Sequence, residues 1–167
     1  MTTLDWPEIK IFKKKISALS QSSNQLHING ATGSRLISGN STFTEELEAK
    51  LAEIFKSESA LLFNSGYTAN MGVLSSIPQK GETVLYDELS HASIKDGIRL
   101  SFAERFPFKH NNMDDLESKL KKSKGQVYIV VESIYSMDGD DCPLADVITV
   151  AKKYNALIIV DEAHSTG

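Results

Sequence analysis

Two short runs, Gln126–Glu132 (QVYIVVE) and Ala156–Val160 (ALIIV), constrain the fold more than any other feature of the chain. Both are apolar and rich in β-branched residues, without the alternation of a half-exposed strand. Strands of this kind are buried on both faces. Between them Pro143–Tyr154 has helical spacing, with proline at a first-turn position. Strand, helix and strand in that order imply a parallel βαβ unit.

The same alternation runs through the earlier chain. Ser59–Phe63, Glu82–Tyr86 and Ala103–Phe108 read as further strands. Helices are predicted from Thr42 through Phe55, from the turn at Gly66 to about Ile77, from His91 to about Leu100, and over Met113–Lys122. Thr42 with Glu45 has capping-box spacing, Phe43, Leu47, Leu51, Ile54 and Phe55 form an apolar stripe, and Ser90 is placed to cap the His91 helix. Pro7–Leu19 is a further helical stretch, and Lys10, Lys13, Lys14 and Lys15 read as its solvated flank. The expected class is α/β, a mostly parallel sheet flanked by helices.

Composition narrows the function. With 167 residues, 41% hydrophobic and 24% charged, the chain has the make-up of a globular domain. A net charge of −4 argues against a nucleic-acid partner. No apolar run approaches the roughly 18–20 residues of a membrane span, and Met1–Lys15 lacks a signal-peptide core. Cys142 is the one cysteine, so no internal disulfide can form, and a cytoplasmic location is expected.

In open parallel sheets, ligands collect outside the carboxyl ends of the strands. The residues to inspect are therefore Asn64–Tyr67, Asp87–His91, Glu132–Asp141 and Asp161–Gly167. Asn64-Ser65-Gly66 opens a helix, and its free N–H groups could cradle a phosphate. His91 could stack on a flat ligand or handle a proton. Asp161 closes an apolar strand, where a carboxylate needs a positive partner, and His164 follows three residues on.

Other chemistries lack their patterns. There is no G-x-G-x-x-G after a strand, no G-x-x-x-x-G-K-[ST], no H-E-x-x-H and no G-x-S-x-G. The acidic loop Ser136–Asp141 lacks the calcium register, so no metal is expected. Cys142 beside Pro143 reads as a packed side chain rather than a nucleophile. A phosphate cup, a ring, a hydroxyl, an acid and a second imidazole suit a flat, protonatable, phosphorylated heterocycle. Pyridoxal 5′-phosphate fits that description.

Five segments carry a resemblance: GATGSRLISGN (30–40), LFNSGYTAN (62–70), DELSHASIKDG (87–97), ESIYSMDGD (132–140) and DEAHSTG (161–167). They are similar to the α-oxoamine synthases, pyridoxal-phosphate enzymes of aspartate-aminotransferase-like fold. The resemblance implies that Gly66 and Tyr67 hold the cofactor phosphate and that His91 stacks on its ring. Ser136 and His164 would lie near its phenolic oxygen, Asp161 would pair with the pyridinium nitrogen, and Glu132 would support the same edge. His91, Asp161 and His164 are then the expected catalytic residues.

The implied reaction joins an amino acid to an acyl thioester with loss of carbon dioxide. L-alanine with pimeloyl-CoA, or a pimeloyl carrier protein, is the expected pair, and glycine with acetyl-CoA the alternative. A homodimer is implied for the complete protein. The family's Schiff-base lysine, its small C-terminal domain and its first N-terminal motif have no counterpart in these 167 residues. The expectation is an N-terminal helix and Gly-rich loop over 1–41 and a partial cofactor domain over 42–167, inactive by itself. A non-catalytic remnant that pairs with a full-length partner is the competing expectation.

Overall fold

The computed structural model describes residue 31 and residues 33–166. The chain divides into two compact units, 1–61 and 62–167. The expected helix at Pro7–Leu19 lies outside the described residues.

In the first unit, α1 spans Thr42–Phe55. Its N-cap is Ser41 rather than Thr42: Ser41 is extended, and its hydroxyl accepts the Thr44 N–H at 3.2 Å. Thr42 is already helical and cannot cap, so the expected Thr42–Glu45 box does not form and Ser41 caps with a single side-chain-to-backbone bond. The helix ends where Lys56 turns left-handed at φ 53°. The preceding loop is tied to α1 by Arg35, whose Nη2 donates to Glu48 Oε2 at 2.8 Å.

The second unit carries the sheet. Its elements are α2 (Gly66–Ser76), β1 (Thr83–Asp87), α3 (Ala92–Leu100), β2 (Glu104–Phe108), α4 (Met113–Leu120), β3 (Val127–Glu132), α5 (Leu144–Lys153) and β4 (Leu157–Asp161). All strand pairs are parallel, in the order β2-β1-β3-β4. β3 is buried along its whole length, as its unbroken apolar sequence requires.

Each face of the sheet has its own core. On one, Leu74 of α2 and Ile94 and Ile98 of α3 pack with Val84, Tyr128 and Val130. On the other, Leu116 and Leu120 of α4 and Val147 and Ala151 of α5 pack with Leu85, Ile129 and Val131. The alternate residues of β1 and β3 thus feed opposite layers. The chain leaves β1 toward β2 and leaves β3 toward β4, so the strand order reverses between β1 and β3. A crevice at the carboxyl ends there is the usual ligand position.

Two helices approach closely through Gly97. A Cβ there would stand 2.8 Å from the Asn70 carbonyl oxygen and 3.0 Å from Leu74 Cβ. Glycine at that point lets α3 lie against α2.

Two further sequence expectations differ from the structure. Ser59–Phe63 forms no strand; Leu61 is 63% exposed. A short apolar run becomes a strand only when a partner supplies a ladder, and among the described residues none does. The cap of α3 is His91, not Ser90: the His91 ring accepts the Ser93 N–H, while Ser90 N donates to Asp87 O at 3.0 Å and closes a turn.

Candidate functional site

The carboxyl ends of β3 and β4 meet the first turns of α2 and α3. Four side chains there form one hydrogen-bonded series. Asn70, one turn into α2, donates its Nδ2 hydrogens to Asp161 Oδ2 at 2.7 Å and to Ser93 Oγ at 3.0 Å. Ser93 Oγ lies 2.7 Å from His91 Nδ1, and Ser93 N donates to the same nitrogen at 3.2 Å. Asp161 and His91 are therefore joined through two intermediates, Asn70 and Ser93.

Local sequence explains each placement. Asp161 ends the apolar strand β4 and accepts the Ala163 N–H through Oδ1 at 2.9 Å, an Asx turn that stops the strand. His91 caps α3, so its ring stands at the helix start rather than along its side. Ser65 caps α2 in a capping box with Thr68. That cap takes up Thr68 N, and Ala69 N donates to Ser65 O. The N–H groups of Gly66 and Tyr67 are left as the helix's uncommitted donors. A Cβ on Gly66 would touch nothing within 4 Å, so the turn is open above them.

Glu132 lies beneath this series, 3% exposed, and its carboxylate accepts the His91 N–H. Burial pushes the Glu132 carboxyl above the ordinary glutamate range; the His91 N–H opposes that shift and the Asp161 charge adds to it. His164 is close enough for its charge to act on Glu132. The Tyr67 hydroxyl donates to Asp96 of α3, and its ring meets the His91 ring edge-on, centroids 6.2 Å apart.

Gly66, Tyr67, His91, Asp161 and His164 thus lie along the ends of neighbouring elements. Ser136 does not join them: it is exposed in the β3–α5 loop and enters no hydrogen bond among the described residues.

Sequence reasoning passes over Asn70 and Ser93, which make the connection. Asn70 leaves one signal, an asparagine inside a helix, where it is intrinsically unfavourable. A second polar cluster is also missed. Asp87, fully buried at the end of β1, holds His110 Nδ1 at 2.9 Å, and Asp140 holds His110 Nε2 at 2.7 Å. Asn111, left-handed at φ 50°, donates its N–H to Asp87 Oδ2 at 3.0 Å. The Tyr135 ring packs edge-on against His110 at 4.5 Å. Burial works to lower the imidazole's pKa, but its two carboxylate bonds outweigh that and raise it. Beside them, burial and then the Asp87 charge push the Cys142 thiol up to about 11, consistent with a packed side chain.

Among the described residues, no group of three or more His, Cys, Asp and Glu is arranged to hold a metal, and no helix is long and apolar enough to cross a membrane.

Residues 8–167 match the family described as aminotransferase class I and II. The chain is 45% identical over 156 residues to 8-amino-7-oxononanoate synthase 2 of Bacillus subtilis (strain 168), covering 92% of this chain and 40% of that one. A solved serine palmitoyltransferase from S. paucimobilis, with bound PLP-myriocin aldimine, superposes with a TM-score of 0.83 at 37% identity, over 98% of this chain and 41% of that one. An 8-amino-7-oxononanoate synthase from Francisella tularensis superposes with a TM-score of 0.65 at 30% identity, over 75% of this chain and 36% of that one. The chain spans about two fifths of the length of the curated relatives it matches.

Proposed function

Because the chain belongs to the aminotransferase class I and II family, within its α-oxoamine synthase branch, we propose that it is the cofactor-holding core of an enzyme condensing L-alanine with a pimeloyl thioester. The thiol and carbon dioxide leave, and 8-amino-7-oxononanoate is the product, a step toward biotin. The complete protein acts as a cytoplasmic homodimer. The name shared by the curated relatives supports this substrate pair.

Pyridoxal phosphate is the cofactor of this family, and the residues present fit it. One observation carries that reading: Asp161 and His91 are locked into one hydrogen-bonded series, yet His91 is exposed and Asp161 only half-buried. A carboxylate fixed from one side can pair with a pyridinium nitrogen on the other and hold its proton there. The exposed imidazole offers a face for stacking. The N–H groups of Gly66 and Tyr67 at the start of α2 suit a phosphate. When bound, the cofactor supplies an electron sink for a carbanion.

The chain's own residues do the positioning. Asp161 would hold the proton on the cofactor's pyridine nitrogen. Glu132, buried under His91, fixes the backbone from which that ring projects. His164 is the rim group proposed for the phenolic oxygen; Ser136, which the resemblance pairs with it, stands apart on its exposed loop.

The test uses the polypeptide extended to the length of its curated relatives. It is offered L-alanine with pimeloyl-CoA, glycine with acetyl-CoA, and L-serine with palmitoyl-CoA, the last because of the structural likeness to serine palmitoyltransferase. Turnover of the first pair above the others is expected. Turnover of only one of the other pairs overturns the substrate assignment.

A further inference from the structure

The bonds among Asn70, Ser93 and His91 have only one self-consistent arrangement of protons. The Asn70 amide group offers two N–H donors and no acceptor on that nitrogen. One hydrogen goes to Asp161 Oδ2, the other to Ser93 Oγ. Ser93 Oγ is therefore an acceptor toward Asn70, and its own hydrogen is free to point elsewhere. The nitrogen 2.7 Å away is His91 Nδ1.

A second contact decides the direction. The Ser93 backbone N–H, which can only donate, is aimed at the same nitrogen at 3.2 Å. An Nδ1 carrying a hydrogen would face that N–H hydrogen to hydrogen. Nδ1 must present its lone pair, and the ring proton of the neutral imidazole sits on Nε2. The other end of the series is equally directed, because Asp161 Oδ2 accepts from Asn70 and Oδ1 from Ala163 N.

We propose that Asn70 is a positioning residue: its bond to Ser93 Oγ turns the Ser93 hydroxyl hydrogen toward His91 Nδ1, which adds to the Ser93 N–H in favouring the Nε2–H tautomer, while its other hydrogen orients the Asp161 carboxylate. The free edge of His91 is then a hydrogen-bond donor. Its relevance to the cofactor rests on the function proposed above, but the proton order itself does not. Gly97 takes part, since the close approach of α3 to α2 brings Ser93 within reach of Asn70.

The proton order can be read without cofactor or substrate. In the uniformly 15N-labelled chain, long-range 1H–15N correlation distinguishes protonated from unprotonated ring nitrogens of His91. Unprotonated Nδ1 and protonated Nε2 are expected wherever the ring is neutral; the opposite pattern overturns the inference. Asn70→Ala and Ser93→Ala should each lower the tautomer ratio about fivefold, the equilibrium weight of one ordinary hydrogen bond.

Asn70→Asp keeps the size of the side chain but offers an acceptor to Ser93. The Ser93 hydroxyl should turn away from His91, with a similar fall in the ratio. Near-ultraviolet circular dichroism checks that each variant keeps its fold. A ratio unchanged in all three folded variants also overturns the inference. Pyridoxal phosphate added to the same samples separates the two claims. Failure to bind, with Nε2–H intact, counts against the proposed function alone. Binding to an Nδ1–H ring counts against the proton order alone.

Discussion

Two histidines stand at the carboxyl end of one sheet, and their surroundings differ. His110 has both ring nitrogens committed, Nδ1 to Asp87 and Nε2 to Asp140, with Tyr135 against its face. His91 has one nitrogen committed, to Ser93, and its ring is exposed. The first network spends both nitrogens of its imidazole and ties β1 and the β2–α4 turn to the β3–α5 loop. The second keeps one edge of His91 and the outer side of Asp161 open. A strand-end histidine is a site only where it keeps unspent hydrogen-bonding capacity; where that capacity is used up, it is a clasp.

Removing the clasp should cost stability and leave ligand contacts alone. His110→Ala leaves Asp87 buried without its imidazole, though Leu89 N and Asn111 N still donate to it. A loss of about 2 kcal/mol is expected, which lowers Tm by roughly 4–8 °C for a domain of this size. Thermal denaturation measures it; an unchanged Tm would make the clasp decorative.

Gly97→Ala strikes the other network from behind. The added methyl would meet the Asn70 carbonyl and Leu74 Cβ, so α2 and α3 must separate. Overpacking of this kind costs about 1–3 kcal/mol. It should also disturb the His91 tautomer, whereas His110→Ala should not. Equal tautomer ratios in wild type and Gly97→Ala would uncouple helix packing from the site.

A smaller effect follows from pH. The folded-state pKa of His110 is raised, so its stabilisation is fully present below the unfolded value of about 6.5 and is lost as pH climbs through the raised value. Asp140 is shifted the other way: its hydrogen bond to His110 lowers its pKa, so its share is present above the ordinary aspartate value of about 3.9 and lost on acidification. The Tm difference between wild type and His110→Gln should be greatest between about pH 4 and 6.5 and shrink toward alkaline pH. A difference that grows with pH would contradict the charged clasp.

Much of this frame is legible in the sequence because it rests on local pattern. The strand over Val127–Glu132 and the helix over Leu144–Lys153 lie within a residue or so of expectation, since apolar runs and helical spacing are read within one segment. Ser59–Phe63 misleads for the opposite reason, because a strand exists only with a partner. Likewise Asp161 and His91 are visible as strand-end and helix-start residues. Asn70 and Ser93 are 23 residues apart, and their bond arises from the packing of two helices. Asp87, His110 and Asp140 come from three separate segments joined only by the fold.

The contrast between the networks is tested most directly by pyridoxal phosphate affinity, measured by absorbance titration of the chain and two variants. Asp161→Asn should weaken binding by up to about a hundredfold, the weight of a charge-assisted hydrogen bond. His110→Gln, in the fraction that remains folded, should bind like wild type. Equal affinities for all three, or a greater loss in His110→Gln, would contradict the assignment of the open network to the cofactor.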